Sequence, residues 1–78
     1  MARSNQKIID VDGIITLFGG KHQIVADYEK YLRTILTVKA VEKWIERKTI
    51  STTQVLRLKT ISEKRNINFV FEEFIKNA

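Results

Sequence analysis

Apolar residues along this chain recur mostly at three- and four-residue intervals, the period of helices that bury one face. In "VDGIITLF", residues 11–18, Val11, Ile14, Ile15 and Phe18 fall on or near one side. Asp10 stands where a carboxylate caps a helix start. Gly19-Gly20 follows and predicts the end, because glycine turns the chain there without a steric penalty. From Lys21 onward, Ile24, Tyr28, Tyr31, Leu32 and Ile35 keep helical spacing, which predicts a second helix reaching Arg33 and a turn over Thr34 to Thr37. Thr37 is the N-cap of a third helix, 37–47, and Leu36 is placed to pack on Val41 as a hydrophobic staple. There Val41, Trp44 and Ile45 make the apolar stripe, and Lys39, Glu42, Lys43 and Glu46 face away. Lys48-Thr49 marks the exit. Ser51 or Thr52 caps a fourth helix whose core face is Val55, Leu56, Leu58 and Ile61, with Asn66 as its C-cap.

The last stretch, "INFVFEEFIKNA", alternates Ile67, Phe69 and Phe71, then predicts a short helical turn over Glu72 to Lys76. One brief extended segment cannot make a sheet alone. The expected class is therefore all-α, with four or five short helices. Residues 1–9 read as a flexible arm and 10–78 as the single domain. Seventy-eight residues hold one modest core and not two. No proline, internal repeat or low-complexity segment interrupts the pattern.

Charge changes the picture. The formal net charge is +5, but it is unevenly spread: −1 from Met1 to Glu29, +7 from Lys30 to Arg65, and −1 beyond. The basic excess surrounds the third helix, a distribution that fits a nucleic-acid partner as well as a generic basic surface. Cysteine is absent, which in a domain this small argues for the cytoplasm over a secreted, disulfide-held fold. No signal-peptide pattern opens the chain and no apolar run has the length of a membrane span, so no membrane partner is expected.

The catalytic inventory is thin. With one histidine, His22, and no cysteine, neither a zinc site nor a Cys–His pair is expected, and no glycine-rich phosphate loop occurs. Asp10 and Asp12 straddle a helix start, where capping and dipole compensation explain them better than a metal does. The expectation is a non-enzyme without cofactor, metal or small-molecule substrate.

The order "IITLFGG", helix, "LTVKAVEKWIERKTIS", "TTQVLRLKTISEKRNINF", "EEFI" resembles the Cro/lambda-repressor type of helix-turn-helix protein, in particular the small phage Cro-like regulators. The positions carrying the likeness are Phe18, Gly19, Gly20, Ala40, Val41, Trp44, Arg47 and Ile50. The resemblance implies a lambda-repressor-like domain acting as a sequence-specific DNA-binding transcriptional regulator, a repressor of phage or prophage type. It would work in the cytoplasm of a bacterial cell or phage-infected host. Helix 37–47 would read the major groove through Val38, Lys39, Glu42 and Lys43, with Glu46 at the edge of the face. Lysine donates to guanine, glutamate accepts from cytosine, and valine meets a thymine methyl. Lys21, His22, Gln23, Lys30, Arg33, Arg47, Lys48, Thr49 and Thr52 would meet the phosphate backbone. Trp44 is expected as a core anchor.

The chain departs from that family in one place. Between Gly-Gly and Ala-Val it is longer by roughly six residues, enough to turn a helix end by about 600°. It also lacks the usual turn glycine. Either the second helix is extended and the turn rebuilt, or a bulge forms over Tyr28 to Arg33. Tyr28 and Tyr31 then fill the altered interface or stand exposed for a partner. The exposed option defines an alternative function, a protein-interaction adaptor such as an antirepressor or host-protein inhibitor on a degenerate scaffold. RNA binding is a weaker third reading for want of an aromatic platform. Phe69, Phe71, Phe74 and Ile75 make either a homodimer contact in the C-terminal segment or the closing layer of the monomer's own core.

Overall fold

A computed structural model describes residues 7–77. Strand β1 (Lys7–Ile9) is followed by helices α1 (Val11–Leu17), α2 (Lys21–Leu32), α3 (Val38–Arg47) and α4 (Thr52–Arg65). A 3₁₀ turn (Phe71–Phe74) then leads into strand β2 (Ile75–Asn77). The fold is mostly helical, as expected, with a small two-stranded sheet that the expectation did not include. β1 and β2 pair antiparallel, Ile9 facing Ile75, and the Asp10 amide continues the ladder by donating to Phe74 O at 2.7 Å. Residues 7–9 are thus part of the folded unit and not of an arm, while positions 1–6 of the expected arm lie outside the described residues. The helix expected over Glu72 to Lys76 is also replaced, by the 3₁₀ turn and β2.

Three of the four α-helices begin where a side chain satisfies an unpaired amide, while α2 starts at Gly20 without such a cap. Asp10 Oδ1 accepts from Gly13 N at 3.1 Å, Thr37 Oγ1 from Ala40 N at 3.1 Å, and Ser51 Oγ from Gln54 N at 3.4 Å. A side chain at Gly13 would collide with that cap, since its Cβ would lie 2.5 Å from Asp10 Oδ2. Gly19 and Gly20 carry φ of 101° and 102°, the conformation that lets the chain reverse between α1 and α2. The other three helices end on residues in the left-handed region, Arg33, Lys48 and Asn66.

The core gathers one face of every helix: Ile14 and Phe18 from α1, Ile24 and Tyr28 from α2, Val41 from α3, Leu58 and Ile61 from α4. Phe69 closes it from the C-terminal segment, with its ring 5.3 Å from Phe18 edge-on and 6.0 Å from Phe74. Phe71, Phe74 and Ile9 pack on the same cluster. Two expected core residues are absent from it. Leu56 is 62% exposed, because on α4 it points away from the Leu58–Ile61 side, and Ile35 is 87% exposed, because α2 stops before reaching it.

The added residues between Gly20 and Val38 are taken up as helix. α2 continues unbroken through Tyr28 to Leu32, and Arg33 (φ 54°, ψ 36°) reverses it. The amides of Arg33 and Thr34 both return to Tyr28 O. A non-glycine residue in this conformation costs about 1 kcal/mol. Arg33→Gly is therefore expected to raise stability by about 0.5 kcal/mol, part of the gain being offset by the lost cation at the helix C-terminus. A denaturant midpoint at or below that of the wild type would contradict this.

Candidate nucleic-acid interface

The helix α3 has two chemically distinct sides because its apolar residues recur at three and four positions. Val41 is fully buried, and Trp44 and Ile45 pack partly buried on the core. Lys39, Glu42, Lys43 and Glu46 are all exposed and line a shallow hollow of about 160 Å³ on the opposite side. Val38 is half-buried at the first turn, beside the Thr37 cap. Three of the four expected base-reading residues, Lys39, Glu42 and Lys43, thus share one exposed helix face with Glu46, while Val38 stands apart from it.

The start of α2 lies against this face. Lys21 Nζ donates to Glu42 Oε2 at 2.6 Å, joining the two helices through a solvent-facing ion pair. The Glu42 carboxyl is held below its usual range, first by the Lys21 hydrogen bond and charge, then by the charges of Lys39 and His22. Glu42 is thereby a permanent acceptor in a cationic setting, and its charge does less to repel a polyanion than an isolated glutamate would.

A second feature lies between α3 and the start of α4, a cleft of about 310 Å³ lined by Ala40, Lys43, Trp44, Arg47, Thr49, Ser51 and Gln54. Two cations and several hydroxyl or amide groups edge an apolar floor. Trp44 belongs both to the core and to this wall, with its ring 6.4 Å from that of Tyr28. Gln54 and Ser51 were not among the expected contact residues. Their signal was present, since Ser51-Thr52-Thr53-Gln54 has the spacing of a capping box. Here the Gln54 side chain accepts from Tyr28 Oη at 2.5 Å.

The expected backbone-contact residues divide into two groups. Lys21 and His22 stand beside Glu42, and Arg47 and Thr49 edge the cleft, with Lys48 exposed at the α3 C-cap and Thr52 exposed at the α4 start. Lys30 and Arg33 sit at the other end of α2, about 14–18 Å along the helix from Lys21. Lys30 Nζ lies over the Tyr31 ring at 5.2 Å. Gln23 is exposed, but its amide donates inward to Asp27 Oδ1 at 2.9 Å. Tyr28 is fully buried and Tyr31 packs partly buried on the core, so both tyrosines fill the altered interface.

Comparison with protein-family models, curated proteins and solved structures gives no match. Among the described residues no group of three or more His, Cys, Asp or Glu could hold a metal ion, and no helix is long and apolar enough to cross a membrane.

Proposed function

We propose that this chain is a helix-turn-helix DNA-binding regulator that inserts α3 into the major groove of double-stranded DNA and requires no enzymatic chemistry. The observation that carries this reading is the exposed Lys39, Glu42, Lys43 and Glu46 face on a helix whose other side is anchored in the core. Lys21 and His22 at one edge and Arg47 and Thr49 at the other supply donors where phosphates would flank a groove-bound helix. The chain would repress by occupying an operator, and a second copy would read the other half of a near-palindromic site.

Selection of bound duplexes from a randomised pool tests this. The wild type is expected to enrich a twofold sequence that Lys39→Ala/Lys43→Ala does not. If those lysines also neutralise phosphates, the slope of log affinity against log salt falls by up to about 2 in the double variant. Enrichment of the same sequence by both proteins would remove α3 as the reader. The adaptor alternative keeps one supporting observation, the 87% exposed Ile35 in the α2–α3 turn. Since Tyr28 is buried, that reading now depends on Ile35, and Ile35→Ser with unchanged DNA selection but lost protein binding would favour it.

A further inference from the structure

The cleft between α3 and α4 carries more donors than groove reading uses. Trp44 lies only partly buried in its floor, and Ala40, one turn earlier on α3, is too small to cover the indole. Lys43 and Arg47 stand exposed at the edge. Among the described residues neither is held in an ion pair, unlike Lys21, Arg65 and Lys76, and no carboxylate lines the cleft. The opposite wall is anchored from beneath. Thr49 N returns to Trp44 O at 3.2 Å, and Ile50 is buried in the core. The Gln54 side chain is oriented by Tyr28, whose hydroxyl donates to its Oε1. With that oxygen engaged, the Nε2 amide is what Gln54 offers to a ligand, and it is a donor.

We propose that this cleft binds a free mononucleotide, a planar base carrying a phosphate monoester. The indole offers a flat surface on which any base can stack. A monoester carries a charge of about −1.5 to −2 at pH 7, which Lys43 and Arg47 together match, and the guanidinium fork of Arg47 suits two phosphate oxygens at once. The volume of about 310 Å³ stands at the lower end of the range of about 300–1,000 Å³ for ligand pockets, with room for a base and its phosphate. A phosphodiester of duplex DNA brings one charge and no free ring, and so leaves the indole unused. The nucleotide is bound and released unchanged, a role outside the sequence expectation. Arg47 and Thr49 are also the groups proposed to flank a groove-bound helix, so an occupied cleft withdraws them and lowers DNA affinity. That consequence rests on the groove-reading function, whereas nucleotide binding does not.

Trp44 is the only tryptophan, so its fluorescence reports on the cleft directly. Titration of the full chain with adenosine 5′-monophosphate, without DNA, should quench it with a Kd of about 0.1–1 mM, the cleft being shallow, and calorimetry should give the same constant. Arg47→Ala should weaken binding at least about tenfold, the loss of a charge-assisted pair. Gln54→Glu keeps an acceptor for Tyr28 but sets a carboxylate in the cleft, and should weaken binding by a similar factor with the melting curve little changed. Lys64→Ala removes one charge from the exposed far end of α4, about 15 Å along the helix from Gln54, and should alter the Kd less than about twofold. Inorganic phosphate, without a ring, should bind at least about tenfold more weakly than the nucleotide. No saturable signal up to about 10 mM nucleotide would overturn the proposal. So would equal losses in Arg47→Ala and Lys64→Ala, or inorganic phosphate binding as tightly as the nucleotide. Nucleotide binding by a protein that enriches no duplex would leave the cleft assignment standing and remove the groove reader, and the reverse pair of results would do the opposite.

Discussion

Asp27→Ala is expected to lower the melting temperature by about 15 °C, the loss of about 3 kcal/mol spread over a domain of this size. Asp27 is 2% exposed and its Oδ2 pairs with Arg65 NH1 at 2.6 Å, while its Oδ1 accepts from Gln23 Nε2. The same Arg65 nitrogen donates to Phe18 O at 2.8 Å, so this cluster ties α2 and α4 to the end of α1. Removing the carboxylate strands a guanidinium whose side chain is only 25% exposed. That residual hydration places the cost at the lower end of the range of about 3–5 kcal/mol for breaking a buried pair. Total stability for such a domain is about 4–12 kcal/mol, so the loss is large. Asp27→Asn, which keeps an acceptor, should lose less. Asp27→Leu/Arg65→Met should recover much of the deficit, because no charge is then left buried alone. Thermal melts of the three variants decide it, and an Asp27→Ala protein melting within a few degrees of wild type would show the cluster to be incidental.

The second large effect is alkaline. The fully buried Tyr28 phenol has its pKa raised above the ordinary value by desolvation, which the nearby Arg57 charge only partly opposes. The unfolded chain then releases the proton first. Stability from this group is fully present below the unfolded pKa of about 10 and is lost as pH rises through the folded value. The expected slope above about pH 10 is roughly 1.4 kcal/mol per pH unit from Tyr28 alone. The diagnostic is the difference between wild type and Tyr28→Phe. The variant should lose about 1 kcal/mol near neutrality, as Gln54 Oε1 loses its donor, yet become less sensitive to pH above 10. Parallel pH profiles for the two proteins would exclude Tyr28 as the source.

Both effects show where sequence reasoning ran out. Asp27 and Arg65 sit in exposed-looking helical positions 38 residues apart, and no local spacing predicts that they meet. Gln54 as the Tyr28 partner is equally non-local. The candidate interface was easier to foresee. Val41, Trp44 and Ile45 oblige α3 to turn one side inward, and the charged face is then whatever remains. The Lys21–Glu42 pair across that face needed the α2–α3 packing angle, which helical periodicity does not contain.

Four helices, their caps at Asp10, Thr37 and Ser51, and the glycine turn after α1 follow from local chemistry, because each depends on residues within a turn or two of one another. The sheet does not, since a three-residue strand at Lys7–Ile9 is meaningless until Ile75–Asn77 is brought beside it from the other end of the chain. Nor does the fate of Leu56 and the phenylalanines. Both sets are apolar and suitably spaced, and only the packing of α4 against the other helices decides which face the core can accommodate. Local sequence sets which faces are apolar, and tertiary packing selects which of the apolar side chains remain at the surface.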